Sequence, residues 1–330
     1  MQNPFTTTFS KTPEYTYIDT EKVNEILENF SYDKPSESVY KITGVRGSGK
    51  TVLLAKVEEN LRGEEYRKAG WIVLDINPTR NMLQQVAAML VNEGFGKPDD
   101  AFFDIGVEVE NMLQEARLKG KKIFVGIDEV SKSEEMVKFA SEFGRWLRAD
   151  YPIFLVCTGL YKNIIEVSNV KNLTFFRRAT TVMTEPLNCV RMAEMYRRQL
   201  AVDVNTARDM AKLTKGYAYA FQELGVLCFK KKEDESFDDI IANLKSELFA
   251  YSYEKIWEEL SENDRFLIRL LAGKEEYKRE ELLPLMGEKR GNYSMYRDRL
   301  VKRGLVSVRQ AYISLALPFF ADYVQDYCGL

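Results

Sequence analysis

The chain has 330 residues, with 47 Lys or Arg, 50 Asp or Glu and no His, and its formal net charge is −3. The absence of His excludes Ser-His-Asp triads, Cys-His dyads and imidazole metal ligands, so any catalysis must use carboxylates, Lys, Arg, hydroxyls, thiols or a bound metal. With 45% apolar and 29% charged residues, the composition is typical of a globular protein with a sizeable core, and the near-balanced charge argues against a surface that coats nucleic acid throughout.

The N-terminal segment 1–11 is polar and lacks the apolar stretch of a secretory signal. No apolar run approaches the ~20 residues that a membrane-spanning helix needs. The four cysteines are far apart and form no C-x-x-C pair, which favours free thiols in a reducing compartment over a zinc site. We therefore expect a cytoplasmic protein that makes no membrane contact.

Apolar strands alternate with amphipathic helices over the first half of the chain. The predicted strands are Val39–Thr43, Trp71–Ile76, Ile123–Ile127, Ile153–Cys157 and Thr180–Thr184. Helices are predicted at 21–30, Val52–Leu61, Met82–Val91, Val107–Leu118 and Glu134–Leu147, the last with a cap at Ser133. Strands that are apolar throughout and separated by helices predict an α/β core with a parallel sheet covered on both faces.

The pattern changes after Pro186, where only helical periodicity remains. Helices are predicted near 190–201, 205–214, 217–231 and 237–260. A last part begins at Ser261, which opens a capping box and a helix to Leu271. Two more helices, Arg279–Met286 and Ser294–Arg303, and a hairpin of Leu305–Val308 with Tyr312–Leu315 complete a predicted winged helix-turn-helix.

A glycine-rich loop follows the first strand. Gly44-Val45-Arg46-Gly47-Ser48-Gly49-Lys50-Thr51 fits G-x-x-x-x-G-K-[ST], with a strand before it and a helix after it. Such a loop brings backbone N–H groups to phosphates at a helix N-terminus. Its Lys50 is expected to reach the β- and γ-phosphates and its Thr51 hydroxyl to bind Mg²⁺, and the alternative is a glycine-rich turn without a ligand.

Two carboxylates end the strand Ile123–Ile127. Ligands of parallel sheets bind at the carboxyl ends of strands, so Asp128 is expected to hold Mg²⁺ directly or through water. Glu129 is expected to orient and deprotonate the attacking water, because no His is present to do so. This pair favours an NTP hydrolase over a small-molecule kinase, and without an [NT]-K-x-D guanine-reading motif ATP is preferred to GTP. The alternative is a solvated loop after a strand.

Three further polar residues stand near strand ends. Thr158 follows the strand Ile153–Cys157, and its hydroxyl is expected to touch the γ-phosphate or the attacking water. The alternative is a strand-end Thr whose hydroxyl bonds only to backbone. Arg177 and Arg178 precede the last strand, where an Arg can stabilise transition-state charge as an arginine finger. A solvated or salt-bridged pair is the alternative, and nothing in the sequence chooses between the two Arg residues.

Together these motifs resemble the AAA+ ATPases of the additional-strand, catalytic-glutamate class. They are similar to the archaeal-ATPase group, which is related to STAND-type signalling ATPases and Orc/Cdc6-like replication initiators. In that resemblance Gly44–Thr51 is Walker A, Ile123–Glu129 is Walker B and Thr158 is sensor 1. Phe176–Ala179 lies where relatives carry an arginine finger, which implies a homo-oligomer with the finger acting in trans. The family fold also implies that the sensor-1 strand lies between the Walker strands.

The resemblance extends on either side of this core. The segment from Asn3 to Pro13 resembles the one that holds adenine. Residues 189–255 resemble a lid in which Gly216–Ala220 corresponds to a Gly-x-Pro motif, with Ala218 in place of Pro. No sensor-2 arginine is found there, and Tyr217 is expected to pack on the nucleotide instead. The predicted domains are residues 1–188 for the P-loop ATPase core with its lead-in, 189–255 for the helical lid and 256–330 for the winged helix.

The charge of the predicted winged helix suggests its partner. Between Lys289 and Arg309 there are seven basic residues and one acid, a local charge of +6. This is typical of a recognition helix and wing that meet DNA phosphates, and the predicted duplex-DNA contacts are Arg297, Arg299, Lys302 and Arg303. The alternative is a winged helix that contacts protein.

The sequence thus predicts a Mg²⁺-dependent ATPase and leaves two roles open. One is a DNA-associated nucleotide switch, and the other is a STAND-like signalling ATPase whose winged helix makes protein contacts. In the predicted site the phosphate loop contributes Gly44, Gly47, Ser48, Gly49 and Lys50 to ATP binding. A nucleotide-binding protein with negligible turnover is a third reading.

Overall fold

The structure is a computed structural model, and it describes residues 2–8, 12–96 and 104–329. The contacts divide the described residues into two compact units. The helical unit comprises those of 1–20, 44–49 and 184–330, and the core unit comprises those of 21–43 and 50–183. The predicted three-domain division stays a prediction.

The core unit contains a five-stranded parallel sheet and eight described helices. The strands are β1 (Val39–Thr43), β2 (Trp71–Ile76), β3 (Lys122–Ile127), β4 (Ile153–Gly159) and β5 (Thr180–Met183). The helices are α1 (Lys22–Ser31), α2 (Lys50–Leu61), α3 (Glu64–Lys68), α4 (Met82–Asn92), α5 (Ile105–Leu118), α6 (Glu134–Arg148), α7 (Tyr161–Ser168) and α8 (Thr174–Arg178). All five predicted strands are present. The short helices α3, α7 and α8 were not predicted.

The sheet order is β2-β3-β4-β1-β5, and every neighbouring pair is parallel. β4 therefore lies between β1 and β3, which confirms the strand order implied by the resemblance. Alternate strand residues enter two separate apolar clusters. Val39 and Leu155 belong to one cluster, which includes residues of α4 to α8, whereas Tyr40 and Val156 belong to the other, with residues of α1 and α2. This confirms a sheet covered on both faces, as buried parallel strands require.

Local signals set several boundaries in the core unit. The Ser133 hydroxyl accepts a hydrogen bond from the Met136 N–H at 3.1 Å, so the predicted cap of α6 is present. α5 begins after Asp104, whose carboxylate accepts from the N–H groups of Gly106 and Val107.

The helical unit contains the remaining elements. Its helices are α9 (Cys189–Leu200), α10 (Val204–Leu213), α11 (Ala218–Lys230), α12 (Phe237–Leu248), α13 (Glu254–Glu258), α14 (Glu262–Ala272), α15 (Arg279–Leu285), α16 (Tyr293–Lys302) and α17 (Phe320–Tyr327). A π-helix over Phe249–Tyr253 joins α12 to α13, and a 3₁₀-helix over Gly287–Asn292 precedes α16. The predicted single helix 237–260 is therefore interrupted by a π-turn.

The C-terminal module, residues 261–327, adds a small antiparallel sheet to α14–α17. Its strands are β6 (Tyr277–Lys278), β7 (Val306–Arg309) and β8 (Tyr312–Leu315), in the order β6-β8-β7. The predicted hairpin is present as β7 and β8, whereas β6 and α17 were not predicted. No helix among the described residues is long and apolar enough to span a membrane.

Candidate functional site

The glycine-rich loop adopts a conformation that demands glycine at several positions. Gly47 and Gly49 have φ of 74° and 93°, a region that L side chains rarely adopt. A Cβ on Gly44 would lie 1.8 Å from the Thr184 hydroxyl oxygen, so no side chain fits there. Ser48 accepts a hydrogen bond from the same Thr184 hydroxyl at 2.9 Å. The loop therefore has the open backbone that a phosphate cradle needs, and its last two residues, Lys50 and Thr51, begin α2.

Within the helical unit, two tyrosines hold the backbone of this loop. The Tyr217 hydroxyl donates to the Arg46 carbonyl at 2.6 Å and lies 2.8 Å from the Ser252 hydroxyl. The Tyr219 N–H donates to the Gly47 carbonyl at 3.0 Å. Burial raises the pKa of Tyr217, so its phenol remains a neutral donor. The Tyr217 residue predicted to pack on nucleotide thus bonds the loop itself, and its nucleotide contact stays a prediction.

Ser252, the second partner of the Tyr217 hydroxyl, lies in the π-helix Phe249–Tyr253. The rings of Tyr219 and Tyr251 stack with centroids 4.2 Å apart and planes 19° apart. π-Turns within helices are rare and often occur at functional sites, because they reposition side chains. The sequence pattern did not reveal the π-turn, because aromatic residues continue through Phe249–Tyr253.

The predicted metal and water residues meet at the carboxyl ends of β3 and β4 in the core unit. The Thr51 hydroxyl donates to Asp128 Oδ2 at 2.9 Å, and the Thr158 hydroxyl donates to Asp128 Oδ1. The Glu129 N–H donates to Thr158 Oγ1 at 3.2 Å. Register explains this meeting, because Ile127 pairs with Cys157 and the next residues are Asp128 and Thr158. A hydroxyl and a carboxylate oxygen are ligands that Mg²⁺ accepts, with waters and phosphates completing its octahedron.

Glu129 is exposed and has a φ of 56°. A non-glycine residue in this region carries strain, and such strain concentrates at functional sites. Among the described residues, no cluster of three or more Asp, Glu, Cys or His side chains could hold a metal ion. The fit to Mg²⁺ therefore depends on Thr51 and Asp128.

Glu58 was not identified from the sequence. It lies on α2 with a side-chain exposure of 8%, and its Oε2 accepts from Arg62 at 2.9 Å. A Cβ on Gly126 would lie 2.0 Å from Glu58 Oε1, so glycine in β3 makes room for this carboxylate. Burial, aided by the charges of Asp75 and Asp128, raises the pKa of Glu58 to about 7. Glycine in an otherwise apolar strand was the signal that could have found it.

Arg177 and Arg178 end α8, and both side chains are exposed. Within the described part of the chain, no ion pair or hydrogen bond engages either guanidinium. Two unpaired Arg residues on one helix end can act on another molecule, and the structure does not choose between them.

The four predicted DNA contacts have different surroundings. Arg299 pairs with the buried Asp264 at 2.6 Å, and Arg303, with a side-chain exposure of 13%, lies 3.8 Å from the same carboxylate. Arg297 pairs with Asp298 at 2.7 Å. Lys302 is exposed on α16. Arg299 and Arg303 thus hold the C-terminal module together, and pairing across distant sequence positions could not be read from composition.

The lead-in segment packs against α11. Phe5 is 3% exposed and lies against Gly225, where a Cβ would be 2.2 Å from its ring. The Thr6 N–H donates to the Gln222 side-chain oxygen at 3.1 Å. Residues 9–11 of the predicted adenine-holding segment lie outside the described residues, and its role stays a prediction.

Comparisons with known proteins support the fold. A family profile described as "Domain of unknown function (DUF8462)" matches residues 250–324. No curated protein matches the sequence. The structure is similar to a Walker-type ATPase of Pyrococcus abyssi, with a TM-score of 0.65 and 16% identity over 96% of this chain and 98% of that one.

Two Aeropyrum pernix proteins are also similar. The Orc2 protein gives a TM-score of 0.56 with 14% identity over 92% of this chain and 90% of its own. The Orc1 protein, whose structure is of a complex with DNA, gives 0.50 with 12% identity over 95% of each chain. The chain therefore shares the fold of these Walker-type and Orc proteins. At these identities the similarity shows the fold alone, and activity must be argued from the side chains.

Proposed function

We propose that this AAA+-type chain binds ATP and hydrolyses it with Mg²⁺. The observation that carries the proposal is the Thr51–Asp128–Thr158 constellation, in which both hydroxyls donate to one carboxylate. Thr51 is also the last residue of the phosphate-loop motif, so the metal-binding and phosphate-binding signals converge on it.

In this proposal each residue has a defined task. Backbone N–H groups of Gly47–Gly49 and the Lys50 ammonium hold the phosphates. Thr51 and Asp128 would hold Mg²⁺, which would supply positive charge to the phosphates. Glu129 orients the attacking water and accepts its proton, since a carboxylate is the base available in a chain without His. Thr158 fixes Asp128 and the Glu129 backbone, and Arg177 or Arg178 acts on a second copy of the chain.

The Mg²⁺ ligation is tested by nucleotide affinity. Thr51→Val removes one oxygen ligand, so the gain in ATP affinity that Mg²⁺ gives to the wild type should shrink by about tenfold, or 1.4 kcal/mol. Titration of a fluorescent ATP analogue with Mg²⁺ and with EDTA measures this gain. Thr181→Val, on the exposed side of β5, is the matched control and should behave as the wild type. An unchanged Mg²⁺ dependence in Thr51→Val would remove Thr51 from the metal site.

We further propose three functional parts with the predicted bounds, residues 1–188, 189–255 and 256–330, the last a winged helix that contacts duplex DNA. The local charge of +6 between Lys289 and Arg309 supports this. Because Arg299 and Arg303 are paired internally, the exposed residues Arg290, Lys302 and Arg309 are the better phosphate contacts.

Salt dependence tests the DNA contacts. Changing Arg290, Lys302 and Arg309 together to Ala should reduce the slope of log affinity against log salt by about 3, close to one per phosphate contact. Fluorescence anisotropy with a labelled duplex measures the slope. Changing Lys230–Lys232 to Ala removes the same charge from the end of α11 and is the control. Equal slopes in the two triple variants would contradict the assignment.

The second candidate is a signalling ATPase whose C-terminal module contacts protein. The pairing of Arg299 and Arg303 with Asp264 favours it, because it removes two cations from the face available to phosphates. This role predicts ATP-dependent oligomers and a wild-type duplex affinity no higher than that of the variant in which Arg290, Lys302 and Arg309 are changed to Ala. Sedimentation velocity with ATP, in the presence and absence of duplex DNA, separates the two roles.

A further inference from the structure

The core unit contains a buried Lys side chain that forms no ion pair with a carboxylate among the described residues. Lys41 is the third residue of β1 and is 3% exposed. Its register partners are Cys157 in β4 and Thr181 in β5. Burial raises the pKa of the Cys157 thiol to about 12, so that neighbour supplies no negative charge. Burial also lowers the pKa of Lys41 itself.

The Lys41 ammonium is directed at the end of α8. Its Nζ donates to the Phe176 carbonyl at 2.7 Å and lies 5.3 Å from the centre of the Phe176 ring. The last carbonyls of a helix lack intrahelical donors, and a cation at this end is also favoured by the helix dipole. An apolar side chain would suit the burial of β1 without desolvating a charge. What Lys adds at this position is its bond to α8.

Packing leaves α8 dependent on few contacts. The Phe176 side chain is fully buried, and the Phe175 ring stacks on Phe143 with centroids 6.0 Å apart. The helix has only five residues, fewer than an isolated helix needs for stability, so its position is set by such tertiary contacts. The two residues after Phe176 are Arg177 and Arg178.

We propose that Lys41 is a positioning residue that fixes the end of α8 and so directs Arg177 and Arg178 at the nucleotide bound by a second copy of this chain. This inference rests on the proposed ATPase function. It assigns Lys41 to the stimulation of a neighbour and gives it no part in nucleotide binding by its own chain.

Oligomers mixed from two variants distinguish a role of Lys41 in stimulating the neighbouring subunit from a role in nucleotide binding by its own chain. Lys41→Met should lower turnover by about 10²-fold, the cost of a misplaced catalytic group, and leave ATP affinity unchanged. Lys50→Ala should also have little turnover, because its own phosphate site is impaired. Its α8 is unchanged, so it should still be able to stimulate a neighbouring subunit. An equimolar mixture should recover turnover well above the sum of the two, since Lys50→Ala subunits then stimulate Lys41→Met sites.

Three comparisons complete the design. Lys162→Met changes an exposed Lys of α7 and should keep wild-type turnover. Arg177→Ala with Arg178→Ala should match Lys41→Met in the mixing experiment. Phe176→Leu loosens the same helix end without touching the charge, so it provides a second route to the phenotype if Lys41→Met does not fold.

The outcomes are distinct. Recovery in the mixtures of Lys41→Met or Phe176→Leu with Lys50→Ala supports the proposal. Wild-type turnover in Lys41→Met, or loss of ATP affinity together with turnover and no recovery on mixing, overturns it. An inactive wild type refutes the proposed ATPase function instead, whereas an active double Arg variant refutes the finger on which Lys41 is proposed to act.

Discussion

The hydroxyl of Tyr217 offers a quantitative test of how the phosphate loop is held. Tyr217→Phe keeps the ring and removes the bonds to the Arg46 carbonyl at 2.6 Å and the Ser252 hydroxyl at 2.8 Å. Tyr217 is 5% exposed and Ser252 is fully buried, so water cannot easily replace the lost partner. Each neutral bond contributes about 1 kcal/mol, and a buried group left unpaired costs more. We expect a loss of about 2–3 kcal/mol in the free energy of unfolding.

A double-mutant cycle isolates the shared bond. Ser252→Ala removes one of the two bonds and should cost about 1 kcal/mol. The double variant should lose scarcely more than Tyr217→Phe alone, which gives a coupling of about 1 kcal/mol. Urea unfolding followed by circular dichroism measures all four proteins.

The control is Tyr327→Phe, because Tyr327 is 70% exposed and should change stability by less than about 0.5 kcal/mol. ATP affinity should fall in Tyr217→Phe and not in this control, since Tyr217 holds the Arg46 carbonyl of the loop. A Tyr217→Phe variant as stable as the control, or additive losses in the cycle, would refute the reasoning.

Three further predictions concern other side chains. The pKa of Glu58 rises from 4.5 to about 7 on folding, so between these pH values the folded chain keeps a proton that the unfolded chain releases, and the free energy of unfolding falls as pH rises. In urea titrations Glu58→Gln should remove this fall and be roughly 1–3 kcal/mol more stable than the wild type at pH 8. A pH profile of stability equal to that of the wild type would contradict this prediction. Thr158→Val loses the hydrogen bond to Asp128 and the acceptor for the Glu129 N–H. Phosphate-release assays should therefore show kcat reduced about tenfold or more, with ATP affinity nearly unchanged. An equal loss of kcat and of ATP affinity would contradict a role of Thr158 in the chemical step. Arg299→Ala removes the partner of the buried Asp264 carboxylate and should lower the free energy of unfolding by about 2–3 kcal/mol. Lys302→Ala should lower it by less than about 0.5 kcal/mol in the same thermal unfolding experiment. Equal losses in the two variants would contradict the Arg299–Asp264 pairing.

Most of the regular structure could be predicted because it is encoded in local pattern. The five core strands are short, mainly apolar or β-branched runs, and the cap at Ser133 marks the start of α6. The helices α7 and α8 were missed because they are too short to show a periodic face, and β6 because two residues carry no alternation. The π-turn at Phe249–Tyr253 was missed because the aromatic residues Phe249, Tyr251 and Tyr253 run through it, so no break in the apolar pattern marks it.

The candidate site was predictable where its residues belong to contiguous motifs. The glycine-rich motif and the Asp128–Glu129 pair could be read directly, but the meeting of Thr51, Asp128 and Thr158 depends on strand order, which comes from the fold. Lys41 and Glu58 escaped notice because a buried charge is recognised only by the carbonyl, Arg or glycine that accommodates it. Arg299 was read as a DNA contact because its partner, Asp264, is 35 positions away in sequence.

The most direct test of the central claim is ATP hydrolysis by the wild type, Lys50→Ala and Glu129→Gln, with phosphate release measured at saturating ATP and Mg²⁺. The account predicts turnover in the wild type, loss of both affinity and turnover in Lys50→Ala, and retained affinity without turnover in Glu129→Gln. Wild-type turnover in both variants, or none in the wild type at any protein concentration, would contradict it.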